Sequence, residues 1–279
     1  MPLRFQRRLQ AAIVVISLIH LLLFAAAVYA IMRMDLLPDV LGQLSITLPR
    51  WMMVLNRPDP GFLRITALAG IGCLLLFSIF ANLGVRTLYR RTDSAELLFL
   101  MLFCLSLCFE VWRLGNLVFQ AFGLSQYLSV VVTRLVLFSR FFGLLCLLVA
   151  SLYAVEMNYT QYSILIGGMV VLSLTLAGVL PLDTSLYETS FIYKLGDRRG
   201  LSFVRLILAV LTLINFLAAA RLRHSRRFAV AAAAVLMVFS GKELLQYGAA
   251  PLPLLLGTTL MIVGFVVFVR QIVVFYLGL

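Results

Sequence analysis

The sequence predicts an all-α polytopic transmembrane bundle of eight helices. Three observations carry this. First, 63% of the 279 residues are hydrophobic and only 12% are charged, with a mean hydropathy of +1.08. A water-soluble domain is about half apolar and about a quarter charged. Second, the apolar residues fall into runs near the ~20 residues that a helix needs to cross the hydrocarbon. Third, arginines cluster in alternate connections between those runs. This composition excludes a soluble fold, a disordered chain and a disulfide-stapled secreted domain. The runs are long and continuous, whereas a membrane β-barrel needs alternating segments of about 10 residues.

The first run, 10–31, follows Arg4, Arg7 and Arg8 and ends in Ala-Ala-Val-Tyr-Ala at 26–30. That start also fits a signal peptide. Cleaved signals have apolar regions of about 7–15 residues, so the longer run is read as a retained helix; cleavage would leave seven spans. Segment 32–62 is read as an external interfacial loop. Pro38, Pro49, Pro58 and Pro60 break any long helix, and Trp51 with its apolar neighbours suits the membrane interface. It serves either as a lid over an external cavity or as a loop packed on helix ends.

The second run, 65–85, is followed by Arg86, Arg90 and Arg91. The third and fourth, 95–121 and 127–153, carry most of the buried ionisable residues. The connection at 154–160 has no Arg or Lys. The fifth run, 161–181, leads into a polar loop at 182–201, read as external and able to contact a ligand or partner. The sixth, 202–220, is followed by Arg221, Arg223, Arg226 and Arg227. The seventh and eighth are 228–248 and 252–275. Short arginine-dense connections remain in the cytoplasm, which puts both termini inside. Residues 1–279 form one integral membrane domain, and the expected location is a bacterial cytoplasmic membrane.

The net charge of +12 then divides by place. The cytoplasmic side holds +8, the external side +2 and the membrane interior +2. Most of the basic balance is topology, so no nucleic-acid partner is implied. The four cysteines, Cys73, Cys104, Cys108 and Cys146, all lie in apolar runs, where thiols act as small apolar side chains. The two histidines lie far apart, so no metal site is expected. No cofactor is expected either.

Ionisable residues inside spans are costly, so they pair, face the bundle interior or line a wet cavity. The third run has Glu110, Arg113 and Asn116, then Gln120. The fourth has Arg134 and Arg140. The seventh has Lys242, Glu243 and Gln246, and the first only His20. At 1.5 Å per residue, Glu110, Arg134, Lys242 and Glu243 all lie about 10 Å below the external boundary. Thr258 and Thr259 come near that layer. Arg113 is shallower and Arg140 deeper. Glu110 and Arg113 share a helix face at i,i+3, as do Lys242 or Glu243 with Gln246. Lys242 and Glu243 point about 100° apart, toward different partners. Gly115 and Gly241 allow close helix approach.

These residues are either a structural ion network or an outward-facing ligand site. Glu110, Arg113, Asn116, Arg134, Arg140, Lys242, Glu243 and Gln246 are the candidate ligand-binding set. Their surplus of positive charge suits an anionic small molecule or lipid headgroup, which arginine captures with two parallel hydrogen bonds.

Catalytic signatures are missing from the sequence: no Gly-x-Ser-x-Gly, no His-Glu-x-x-His, no phosphate-binding Walker loop and no Asp inside any span. Lys242 is in the penultimate run, whereas retinal-binding families hold their Schiff-base lysine in the last helix. The span count and short loops are similar to the multi-helix sensing modules attached to bacterial signalling proteins. That resemblance implies a receptor-like sensor working with a separate membrane or cytoplasmic signalling partner, because no output domain follows the eighth run; alternatively, the chain is a fragment. The competing functions are a transporter or permease subunit, a lipid-modifying membrane enzyme and a structural subunit of a membrane complex. A transport pathway is disfavoured because the inner half shows few polar residues besides Arg140 and no pair of broken helices.

Overall fold

The computed structural model describes residues 3–33, 60–92, 94–156, 161–187, 191–196, 198–247 and 251–277. The helices are α1 (Leu3–Arg33), α2 (Pro60–Thr92), α3 (Ala95–Cys108), α4 (Arg113–Ala121), α5 (Gln126–Ala154), α6 (Tyr162–Val179), α7 (Arg198–Leu222), α8 (Arg226–Tyr247) and α9 (Pro251–Tyr276). A 3₁₀ turn, Phe109–Trp112, joins α3 to α4, so these two make one span. Among the described residues, eight spans are long and apolar enough to cross a membrane, one for each apolar run. The interfacial loop and lid expected at 32–62 lies, from 34 to 59, outside the described residues.

Local chemistry sets the helix ends. Ser94 caps α3 by accepting from the Leu97 amide at 3.4 Å. Gly123, at φ +61°, ends α4. Its amide reaches the Gln120 carbonyl at 3.0 Å, and that of Leu124 reaches Phe119 at 2.9 Å. This is the double bond of a Schellman stop, which favours glycine at the left-handed position. Ser125 then caps α5 through the Tyr127 amide at 3.3 Å. A turn of four residues thus reverses the chain between two central spans.

The α3–α4 span and α5 form the buried axis, while α1, α6 and α7 lie at the periphery with mostly exposed surfaces. Large apolar side chains face outward, among them Leu22, Phe80, Val179 and Leu255. Buried polar groups include Gln10, Ser78, Asn82, Glu96, Glu110, Arg113 and Arg140. Apolar outside and polar inside is the arrangement lipid demands, because hydrocarbon satisfies no polar group.

Side-chain contacts define two ends. At one, Tyr276 donates to both oxygens of buried Glu96, at 2.8 and 3.0 Å. There Arg223 also donates to the Tyr153 carbonyl at 3.1 Å, and Arg227 to that of Val274 at 2.7 Å. At the other end, Asn116 donates to the Phe191 carbonyl at 2.8 Å. Removing the hydroxyl with Tyr276→Phe leaves a buried carboxylate short of a donor, at a cost of about 1–3 kcal/mol. Thermal unfolding in detergent should report this as a lower midpoint; no change would mean that solvent replaces the hydroxyl.

The 182–201 loop departs from its reading as a polar excursion. Leu182–Tyr187 (β1) and Tyr193–Leu195 (β2) pair antiparallel, with Asp183 opposite Lys194. Phe191, Ile192, Tyr193 and Leu195 are buried. The all-α bundle therefore carries a small hairpin, seated by apolar residues that the charges around them mask in the sequence. Tyr193, within the loop read as able to contact a ligand or partner, is part of that seat.

Candidate functional site

Glu110 lies in the 3₁₀ turn at the centre of the third span. Such a turn is wound more tightly than an α-helix, so residues i and i+3 eclipse one another. Arg113 accordingly sits over Glu110, Nε to Oε2 at 2.7 Å. From α5, Arg140 grips the same carboxylate with two bonds, Nε to Oε1 at 2.8 Å and Nη2 to Oε2 at 3.0 Å. From α8, the Gln246 side-chain amide donates to Oε1 at 2.5 Å. Arg113 also reaches the Gln246 main-chain carbonyl at 3.3 Å. One carboxylate therefore ties three spans together. Glu110 is 1% exposed, Arg113 2% and Arg140 3%.

Lys242, one turn before Gln246 on α8, is buried as well, at 2%. It lies within charge–charge reach of Glu110, Arg140, Arg205 and Glu243. Glu243 turns aside, as the 100° offset requires, and meets Arg205 of α7 at 3.6 Å. The Gln246 side-chain oxygen is buried with no hydrogen-bond partner among the described residues. The site thus holds a surplus of cationic donors and one spare acceptor.

The structure brings together Glu110, Arg113, Arg140, Lys242 and Gln246, with Glu243 at the edge. Arg134 stands apart. It is exposed, with its guanidinium near Gly178 of α6. Depth alone had matched it with Glu110. Six residues separate Arg134 from Arg140, which is about 240° around a helix. Azimuth decides which of them meets α3. Asn116 is also away from the cluster: it holds the hairpin through Phe191 and reaches Thr133 Oγ1 at 3.4 Å. Thr258 and Thr259 bond back to carbonyls of their own helix, those of Leu254 and Leu255, at 2.7 and 3.0 Å.

Sequence reasoning missed Arg205, which is 8% exposed. It lies near the start of its apolar run, where position alone gives no sign of burial, although the helix continues through it in both directions. A polar row around α1, α2 and α3 was also missed. Trp112 Nε1 donates to His20 Nε2 at 3.2 Å, and His20 Nδ1 lies 2.8 Å from the Ile16 carbonyl. Ser78 Oγ donates to the Cys104 carbonyl and lies 3.0 Å from Cys108 Sγ. Ser17 and Asn82 are buried nearby along the same helices. Both amide atoms of Asn82 lack a hydrogen-bond partner among the described residues. Single Ser and Asn residues in apolar runs give little warning, because only packing shows which share a seam. The four cysteines are free thiols. No cluster that could hold a metal ion occurs among the described residues.

The chain matches no protein-family model, no curated protein and no solved structure.

Proposed function

We propose that this is a receptor-like, multi-pass module of a bacterial cytoplasmic membrane, with both termini cytoplasmic, that binds an anionic group at the Glu110 cluster. One observation carries the reading. Arg113, Arg140 and Lys242 are buried around a single carboxylate, and the adjacent Arg205–Glu243 pair is neutral. An uncompensated positive charge is expensive in low dielectric. A carboxylate or phosphate would offset the surplus, and Arg140 already presents the fork that such groups fit.

Glu110 acts in this reading as an internal stand-in for the ligand. An incoming anion competes with it for the Arg140 fork and loosens its tie to Gln246 on α8. A ligand shifts such an equilibrium only by its differential affinity for the two arrangements. Release of one buried tie between α3 and α8 supplies that difference, and a signalling partner would read the resulting helix shift.

The test is thermal stabilisation of purified protein by inorganic phosphate and a series of small carboxylates. Arg140→Gln and Lys242→Met should abolish stabilisation, and Arg134→Gln should leave it intact. Stabilisation that survives both cluster variants would overturn the site.

A transporter is the second reading. The row formed by His20, Ser17, Ser78 and Asn82 favours it, because it adds buried polar groups at mid-depth and on the arginine-rich side, where the sequence had suggested few. Anion flux into proteoliposomes that is lost on Asn82→Leu would select this reading over the receptor.

A further inference from the structure

A groove of about 360 Å³ runs along the outer surface of the bundle between α2 and α9. Gly84, Val85 and Leu88 form one wall, and Phe265, Val269 and Val273 the other. Gly84 widens it: a Cβ there would meet nothing within 4 Å. Among the described residues, the one charged side chain on its lining is Arg270. Arg270 is exposed. Its side chain enters none of the hydrogen bonds or ion pairs recorded among the described residues.

Position gives this cation a partner. Arg270 lies six residues before Tyr276, about 9 Å along the helix. Tyr276 meets Glu96 at the arginine-rich end of the bundle. The α2 wall occupies the last part of that helix, at the same end. A guanidinium at that depth on a lipid-facing surface extends toward the headgroups along its aliphatic stem. Apolar walls with one cation near the interface match a molecule with an apolar tail and one anionic head.

We propose that the groove is a binding site for an anionic phospholipid of that leaflet. Its phosphate sits on the Arg270 guanidinium, which suits two parallel hydrogen bonds to phosphate oxygens. One acyl chain lies along Val85, Leu88, Val269 and Val273. The site is on the bundle's outer surface and does not depend on the reading of the Glu110 cluster.

The experiment uses the full chain in nanodiscs of equal phosphatidylglycerol and phosphatidylcholine, extracted and weighed by native mass spectrometry. The wild-type protein should retain phosphatidylglycerol with a preference of roughly five-fold, the effect of one basic residue at a charged surface. Arg270→Gln should remove the preference, and Arg270→Lys should keep part of it. Gly84→Trp, which fills the groove without touching the charge, should reduce retention of both lipids. Circular dichroism checks that each variant is folded; if Gly84→Trp is not, Val266→Trp on the opposite wall replaces it. An unchanged preference in folded Arg270→Gln overturns the proposal. So does a dimer that disappears on Gly84→Trp, because a second copy would then occupy the groove.

Discussion

Glu110→Gln is expected to be among the most damaging single substitutions in this chain, at about 3–5 kcal/mol, the cost of removing one partner from a buried ion pair. The variant keeps the size and one acceptor oxygen. It removes the carboxylate that pairs with both Arg113 and Arg140. The charge surplus in the cluster rises from two to three. Ordinary exposed ion pairs contribute about 0–1 kcal/mol, and polar contacts between membrane helices average about 0.6 kcal/mol. Neither scale applies, because donors from three spans converge on this one carboxylate.

The sign of a second measurement is more informative than the size of the first. Arg140→Gln removes a cation, so it lowers the surplus while breaking the fork. Glu110 keeps Arg113 and Gln246. The expected cost is therefore smaller, about 1–3 kcal/mol. The double variant should cost less than the sum of the two, because the residues share one network. Unfolding in detergent micelles would measure all three. If Arg140→Gln costs as much as Glu110→Gln, the cluster has no positive surplus to offset, and the anion site loses its main support.

Gly264→Ala and Gly241→Ala are expected to be the most damaging glycine substitutions. A Cβ at Gly264 would stand 2.7 Å from the Ala234 carbonyl oxygen and 2.9 Å from Met237 Cβ. One at Gly241 would stand 2.7 Å from the Gly257 oxygen and 2.8 Å from the Met261 amide nitrogen. These neighbours are backbone or Cβ atoms, so they cannot swing away. The α8 and α9 helices must separate. Overpacking of this kind costs about 1–3 kcal/mol, against which alanine returns at most about 1 kcal/mol of helix propensity. The upper part of that range is expected because whole helices have to move. Gly167→Ala and Gly168→Ala are the controls. Nothing lies within 4 Å of a Cβ at either, so both should be neutral or slightly stabilising. Thermal midpoints would separate the two classes. Gly241 adjoins Lys242, so its variant should also weaken any anion stabilisation measured at the cluster.

The same contacts show where helix-packing arguments from sequence succeed. Gly241 was expected to permit close approach, and it does. Gly115 was expected to do the same, yet a Cβ there would meet only ordinary contacts at 3.9 Å, to Phe119 and Val132. Gly143, not singled out in the sequence, is the tight one on α5, against Ser106 of α3. A glycine inside an apolar run has one composition and two structural meanings. Only the neighbouring helix tells them apart.

The candidate site was legible to a similar degree. Glu110 with Arg113, and Lys242 with Gln246, could be placed on shared faces because helix geometry is local. That Lys242 and Glu243 diverge was readable for the same reason. The choice of Arg140 over Arg134, the pairing of Glu243 with Arg205, and the use of Asn116 to hold the hairpin were not readable. Each depends on which helix lies beside which and at what rotation.

Class, span number and the grouping of arginines were therefore determined by the sequence alone. They are sums over side chains of transfer energies between water and hydrocarbon, and such sums need no knowledge of neighbours. Partner choice, tight glycines, the seated hairpin and the surface groove were decided only by the tertiary structure. Apolar helices in lipid gain little from hydrophobic burial against one another. Their order and rotation follow from steric fit and a few polar ties, and both are properties of pairs of surfaces that no single run contains.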